Sequence, residues 1–244
     1  MPQRIASASP HARRHPEVHA SQADAVRDLI LGMSDGLTTP FALAAGLAGA
    51  ATSNMLVVIG GLAEIAAGSI SMGLGGYLAA KSLADNYHRE LARETEETHT
   101  MPSEERAEVW RIFRDYGLQG AALEQATTAI TANRDAWVRF MMREELGLEE
   151  PAPRAALWSA ARIAGAYVVA GMIPLAPYLL PVALQTALTL SCIMTGGALA
   201  VFGAIKGRYT GEHALRSAVQ TVAIGGTAAA VAYGIGRVVS RLGV

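Results

Sequence analysis

The stretch GGLAEIAAGSISMGLGGYLAA, residues 60–80, decides the fold. It is apolar over roughly 20 residues, which is about the length a helix needs to cross the hydrocarbon core of a bilayer. It also contains the carboxylate of Glu64 and the thioether of Met72, which lie eight residues apart. Because eight residues make about two helical turns, these side chains are predicted to share a face roughly 12 Å apart.

The residues that follow, KSLADNYHRELARETEETH at 81–99, predict that the same helix continues into water. Glu90, Glu94 and Glu97 recur there at spacings of four and three, so they share one helix face. The segment 81–150 carries 15 of the 21 acidic residues of the chain. Acidic clusters are often only solvated faces, and it is the spacing that favours a metal-binding role.

The composition bounds the class of protein. Of the 244 residues 51% are hydrophobic, and the mean hydropathy is +0.26. These values predict a membrane bundle with one polar insertion. The net charge of −1 offers no basic field for nucleic acid. The single cysteine, Cys192, excludes an intrachain disulfide and is interpreted as a small buried apolar residue.

We expect an all-α membrane protein with five transmembrane helices and a cytoplasmic helical metal-binding domain inserted between spans 2 and 3. Pro40 is predicted to kink the first span. The predicted segments are a disordered tail at 1–23, spans 1 and 2 within 24–81, the inserted domain at 82–153, and spans 3 to 5 within 154–244, at about 155–173, 182–205 and 214–239.

The insertion is predicted to form three or four amphipathic helices, with Ser103 as an N-cap and Gly147 as a helix stop. The predicted helices are the extension to about residue 99, then 103–116, 123–132 and 134–146.

The distribution of basic residues predicts the orientation in the membrane. The turns at 51–54 and 174–181 contain no Lys or Arg, whereas the loop with Lys206 and Arg208 and the insertion lie on the opposite side. The positive-inside rule therefore places the N-terminus and residues 82–153 in the cytoplasm.

Two carboxylates, Asp35 and Glu64, lie deep enough in predicted spans to form functional-site hypotheses. The alternative for Asp35 is an N-terminal or interfacial cap, and for Glu64 a structural hydrogen bond between helices. Met72 alone is usual packing, and it gains meaning because it shares a face with Glu64.

The insertion carries carboxylate pairs one helical turn apart, a spacing that builds divalent metal sites in helical bundles. Oxygen ligands suit Fe(II) and Mn(II), and a thioether favours softer transition metals over Mg(II) or Ca(II). The absence of HExxH and CxxC sequences leaves no indication of a zinc-dependent hydrolase or of a redox-active cysteine pair. The candidate ligands are Glu94, Glu97, Glu105, Glu108, Met141, Met142 and Glu145.

Three long segments in this order resemble the vacuolar iron transporter family from about residue 24 to residue 244. They are SDGLTTPFALAAGLAGA at 34–50, GLAEIAAGSISMGLGGYLAAKS at 61–82 and, after the acidic insertion, FMMREELGLEEP at 140–151. The resemblance implies a homodimer of five-span subunits that exchanges cytosolic Fe(II) for protons along the dimer interface. It assigns the ion path to Asp35, Glu64 and Met72, and the metal-gathering domain to the seven candidate ligands above.

Within that path we assign Asp35 as a metal ligand, Met72 as its soft partner and Glu64 as the proton carrier, although the roles of the two carboxylates are interchangeable. The partners implied are a second copy of the chain, metal ions, protons and the lipid bilayer, without nucleic acid. We expect no permanent cofactor, with Fe(II) or another divalent transition metal such as Mn(II) as cargo. The expected location is the inner membrane of a bacterium or the vacuolar membrane of a eukaryote.

Two other functions remain open from the sequence alone. A membrane-anchored ferroxidase is disfavoured because the insertion has a single Glu-x-x-His spacing, Glu96 with His99, whereas di-iron bundles use two. A membrane-anchored metal sensor is disfavoured because an anchor needs no carboxylate and thioether inside the membrane.

Overall fold

The computed structural model describes residues 18–50 and 53–242, and the described part of the chain is helical, without a strand. Residues 1–17 of the predicted disordered tail lie outside the described residues. The helices are α1 Val18–Ala50, α2 Asn54–Thr100, α3 Pro102–Asp115, α4 Gly120–Thr131, α5 Arg134–Glu144, α6 Ala155–Leu175, α7 Leu184–Tyr209 and α8 Ala214–Arg241, with a 3-10 turn at Ala176–Leu179.

The chain divides into two compact units, and the division falls within α2. The first unit comprises the described residues up to Gly73 and those from Ser159 onward. The second unit is Leu74–Trp158, a range that includes residues 82–153. The predicted continuation of the second span into an acidic helix is confirmed, because α2 is one helix of 47 residues.

The core of the first unit forms where α1 packs against α7 and α8. Leu37, Phe41 and Ala44 of α1 are fully or almost fully buried. The helices α7 and α8 pack closely at Gly203 and Gly207. A Cβ added at Gly203 would lie 2.8 Å from the Ser217 carbonyl oxygen, and one at Gly207 would lie 2.6 Å from the Ser217 Cβ. Small residues at these positions let α7 and α8 approach closely.

Within residues 18–50 and 53–242, four helices, α2, α6, α7 and α8, are long and apolar enough to cross a membrane. Their outward faces carry exposed apolar side chains such as Ile193, Val201 and Ile224, as a lipid-facing surface requires. The protein is therefore a multi-pass membrane protein. The predicted first span is an unbroken helix that continues through Pro40, but its composition is too polar to place it with the other four.

Two local predictions are wrong. Ser103 is not the N-cap of α3, because Pro102 occupies the first helical position and Met101 is the cap. Cys192 is not buried, because it lies on the exposed side of α7. The predicted stop at Gly147 is confirmed. Gly147 has a φ of 64°. The N–H of the next residue, Leu148, which lies beyond the end of α5, donates to the carbonyl of Met142 in the last turn of that helix.

The second unit has two small apolar clusters that hold its four helices. One contains Tyr87 of α2 with Val138 of α5, and the other contains Val109 of α3 with Trp137 of α5. Arg106 of α3 donates hydrogen bonds to side chains of α4, including Thr131 at 3.1 Å. These contacts fix the acidic faces of α2 and α3 relative to α5.

Candidate metal-binding cluster and membrane carboxylates

The second unit contains all seven candidate metal ligands, and their exposure differs sharply. Glu94 is 2% exposed and Glu105 is 5% exposed, so neither belongs to a solvated face. Glu97 and Glu108, one turn further along their helices, are partly exposed. Glu145 is exposed because α5 ends at Glu144, which leaves Glu145 as its C-cap.

The two thioethers are buried on α5, with Met141 at 0% and Met142 at 2% exposure. Met141 packs in the cluster of Val109 and Trp137, and Met142 packs in the cluster of Tyr87. Apolar packing accounts for their burial. It also brings soft donor atoms into the unit that holds the buried carboxylates.

The carboxylates of the cluster lie close enough to influence one another. Burial raises the pKa of Glu94 to about 7, and the charge of Glu145 adds to the rise while Arg93 opposes it. Burial also raises the pKa of Glu105 to about 7, with further contributions from the charges of Glu94 and Glu108. At Glu145, partial loss of hydration and then the charge of Glu108 raise the pKa despite its exposure.

The buried carboxylates are incompletely satisfied. Oε2 of Glu94 and Oε2 of Glu105 are buried and have no hydrogen-bond partner in the described part of the chain. An unpartnered buried carboxylate oxygen is costly unless a proton or a cation neutralises it. Among the described residues, no three His, Cys, Asp or Glu side chains lie close enough to hold one metal ion together. The carboxylates therefore lie near one another, but their oxygens are too far apart to bind one metal ion together.

A positive side chain that the sequence reasoning missed lies within this cluster. Nη2 of Arg93 donates to Oε1 of Glu94 at 3.2 Å, and its Nε lies 2.9 Å from Oε2 of Glu90 and 4.0 Å from Oε2 of Glu97. Helical spacing predicts these contacts, because Arg93 is three residues after Glu90 and four before Glu97.

In the first unit, Glu64 is half-buried and joins α2 to α6. Oη of Tyr167 donates to Oε1 of Glu64 at 2.5 Å, and Gly68 leaves the space that the Tyr167 ring occupies. This is the interhelical hydrogen bond that a structural role for Glu64 predicts. That role leaves Oε2 of Glu64 unexplained, because this oxygen is buried without a partner in the described residues. Tyr167 was not identified from the sequence, where nothing links residues 103 positions apart.

Asp35 lies in the middle of α1, so the alternative of an N-terminal cap is wrong. The Asp35 side chain is exposed, and so is the side chain of Leu31 one turn before it. The neighbouring Gly36 packs on the backbone of Tyr167, where an added Cβ would lie 2.6 Å from the carbonyl oxygen. Met72 is half-buried on α2. Tyr167 thus packs against both helices that carry the predicted path carboxylates.

A second carboxylate of α1 was also missed. Asp28 is 1% exposed, and Oδ2 lies 3.3 Å from Nη1 of Arg162 on α6. Arg27 lies 3.6 Å from the other oxygen. Asp28 precedes Asp35 by seven residues, which is about two helical turns, but Asp28 is buried beside α6 whereas Asp35 is exposed. The buried ion pair ties α1 to α6, close to Gly32, where the two helices also touch.

The comparison with known proteins covers both units. The sequence profile of the VIT family matches residues 26–237. The chain is 51% identical over 228 residues to "Vacuolar iron transporter 2" of Oryza sativa subsp. japonica, with 93% of each chain covered. It is 51% identical over 227 residues to "Vacuolar iron transporter 1" of Arabidopsis thaliana, covering 93% of this chain and 91% of that protein. It is 36% identical over 217 residues to "Protein CCC1" of Saccharomyces cerevisiae, covering 85% of this chain and 67% of that protein.

Proposed function

This chain belongs to the VIT family, and we propose that it transports Fe(II) out of the cytoplasm in exchange for protons, with Mn(II) and other divalent transition metals as further cargo. The observation that carries the proposal is the pair of buried glutamates, Glu94 and Glu105, each with an unpartnered oxygen. Their setting offers carboxylate and thioether donors, a combination that suits Fe(II) better than Mg(II) or Ca(II). The iron named in its relatives supports the same cargo.

In this account the second unit gathers metal ions and the first unit moves them. The gathering set consists of the seven candidate ligands, which have to approach one another to reach ligand distances around an ion. The partial exposure of Glu97 and Glu108 provides a polar entrance from water. We expect several ions to bind weakly enough to be released, because open carboxylate sites hold divalent ions less tightly than closed cages do.

Transport in the first unit rests on the ability of a membrane carboxylate to hold either a proton or part of the charge of a metal ion. A carboxylate away from water favours its neutral form, and a bound divalent ion displaces the proton. Glu64 is the proton carrier in our proposal, with one oxygen fixed by Tyr167 and the other free for the proton. Asp35 and Met72 bind the passing ion. Exchange follows when these groups face the two sides of the membrane in turn.

We further propose that α1 also crosses the membrane, as the first of five spans, and that two chains associate along it. A helix that packs against α7 and α8 needs less apolar surface than one surrounded by lipid. The exposed Asp35 then requires cover, because a carboxylate facing lipid costs about 3 kcal/mol. A second copy provides this cover, and a two-fold axis brings each path residue together with its counterpart, which doubles the number of ligands.

Cross-linking tests the dimer. Cysteine replacing Leu31 or Thr39, one turn on either side of Asp35, is expected to form disulfide-linked dimers in a Cys192→Ser background. The wild-type chain, whose single cysteine is the exposed Cys192 of α7, is the control and is expected to remain uncross-linked. A preparation that transports metal as a monomer in vesicles would contradict the proposed interface.

Cysteine labelling tests whether α1 crosses the membrane and which side the second unit faces. Cysteines placed at Ser53, between α1 and α2, and at Ser103, in the second unit, are expected to react with impermeant reagents from opposite sides of the membrane. The positive-inside rule assigns Ser103 to the cytoplasmic side. Labelling of both positions from one side would exclude the five-span arrangement.

Metal uptake into sealed vesicles containing the purified protein separates transport from the other two functions. A transporter accumulates Fe(II) inside the vesicles. A ferroxidase would convert Fe(II) to Fe(III) without moving it, and a sensor would only bind it. Absence of uptake above protein-free vesicles would overturn the proposed function.

A further inference from the structure

Arg93 occupies a position between two groups of carboxylates. On one side, Nε lies 2.9 Å from Oε2 of Glu90, which is not among the candidate metal ligands. On the other, Nη2 reaches Oε1 of Glu94 at 3.2 Å, and Nε lies 4.0 Å from Glu97, which are both candidate ligands. The guanidinium thus shares its charge between one carboxylate outside the set and two within it.

The position has a chemical consequence, because a guanidinium and a divalent cation compete for the same oxygens. Arginine remains charged at every physiological pH, so its charge is withdrawn from Glu94 only if the side chain moves. Arg93 is roughly half-exposed, which leaves room for such a movement. Glu90 is a partner that it already contacts and would keep.

The other arginine of the cluster provides the contrast. Arg111 contacts Glu108 at 2.9 Å from Nη2, and its Nε donates to the Ala107 carbonyl of its own helix. Among the described residues Arg111 has no second carboxylate within 4.0 Å, whereas Arg93 lies within 4.0 Å of Glu90, Glu94 and Glu97.

We propose that Arg93 is a displaceable counter-ion of the metal-gathering cluster. In the metal-free protein it neutralises Glu94 and Glu97. When a divalent cation binds, the guanidinium withdraws to Glu90, and when the cation leaves, it returns. Arg93 therefore limits the affinity of the cluster and favours release of the ion. This inference rests on the proposed metal-gathering role of the second unit.

The first test is equilibrium binding of Mn(II) to the full-length protein in detergent, with free Mn(II) counted by electron paramagnetic resonance. Arg93→Gln is expected to bind Mn(II) about tenfold more tightly with unchanged stoichiometry, because a competing charge is removed at contact distance. The matched control is Arg89→Gln, since Arg89 is one turn earlier on α2, contacts Glu90 at 3.1 Å and is more exposed. It removes the same charge and is expected to change affinity less than about twofold, because exposed charges are screened.

The second test separates displacement from a general effect of charge. Glu90→Gln is expected to weaken Mn(II) binding about threefold in the wild-type background, because Arg93 then loses its alternative partner, and the coupling between neighbouring charges is measurable in a double-mutant cycle. In the Arg93→Gln background the same change is expected to have almost no effect. Equal effects of Glu90→Gln in both backgrounds, or equal effects of the two arginine variants, would overturn the proposal.

The third test measures the melting temperature of the protein without metal and at saturating Mn(II). Arg93→Gln is expected to lower the melting temperature of the metal-free protein, because Glu94 loses its counter-ion, and to match the wild type at saturating Mn(II). An unchanged metal-free melting temperature would count against Arg93 as the counter-ion. If the wild type fails to bind Mn(II), the metal-gathering role itself is wrong. If it binds normally and Arg93→Gln changes nothing, only the role of Arg93 is wrong.

Discussion

Replacing both Glu94 and Glu105 with glutamine is expected to stabilise the metal-free second unit at pH 8 and, in the same variant, to remove most of its metal binding. Each carboxyl has a pKa raised from 4.5 to about 7, first by burial. The folded state therefore holds protons that the unfolded chain releases between pH 4.5 and 7. The stability that these protons provide is present below pH 4.5 and is lost as the pH rises through 7.

The expected size follows from the shift. A pKa raised from 4.5 to about 7 corresponds to about 3 kcal/mol, and glutamine, which resembles the protonated form, recovers up to that amount at pH 8. The measurement is the opening free energy of α3 and α5 amides by hydrogen exchange in the full-length protein at pH 5 and pH 8. Glu96→Gln, on the exposed side of α2, is the control and is expected to leave both values unchanged. A wild-type opening free energy independent of pH would contradict the raised pKa values of the two buried carboxyls.

Replacing Glu64 with glutamine is expected to abolish the acceleration of metal transport by an opposing proton gradient. Glutamine keeps an acceptor for the Tyr167 hydroxyl, so the contact between α2 and α6 survives, but it cannot release a proton. A gradient of one pH unit stores about 1.4 kcal/mol per exchanged proton, which allows the wild type about tenfold accumulation for each proton coupled. The variant is expected to move metal only down its own gradient.

Two comparisons give this result its meaning. Glu212→Gln, in the exposed loop after α7, is expected to retain the full response to the gradient. Met72→Ala is expected to lower the rate of Fe(II) transport and to change the response of that rate to the proton gradient less, because it removes a soft ligand and leaves the proton carrier intact. If Glu64→Gln still responds fully to the gradient, Glu64 is structural and the coupling group has to be sought at Asp35.

The sequence predicted most of the helical architecture, because hydrophobic runs and periodic spacing are local properties. The single helix of α2, the four helices of the second unit and the stop at Gly147 were confirmed on this basis, and the comparisons confirmed the family resemblance. The composition of α1 alone does not identify it as a membrane span, because part of its surface is buried against α7 and α8. Ser103 failed as a cap because Pro102 starts the helix one residue earlier.

The site was predicted as a set of faces rather than as a set of contacts. Spacing placed Glu94 and Glu105 on helix faces predicted to bind metal, but it did not show that these two carboxylates are the ones removed from water. Burial depends on the partner helices, as does the contact of Tyr167 with Glu64, and neither follows from local spacing. The helical spacing of Arg93 from Glu90 and Glu97 also predicts its ion pairs, but the sequence analysis considered only the carboxylates.

The most direct test of the central claim is to follow metal and protons together in sealed vesicles that contain only this protein. Fe(II) is supplied outside, the interior is acidic, and separate dyes report the entry of metal and the interior pH. The account predicts that Fe(II) enters while the interior pH rises at the same time, and that both signals disappear in protein-free vesicles. Entry of Fe(II) that leaves the interior pH unchanged, or no entry beyond the protein-free control, would contradict it.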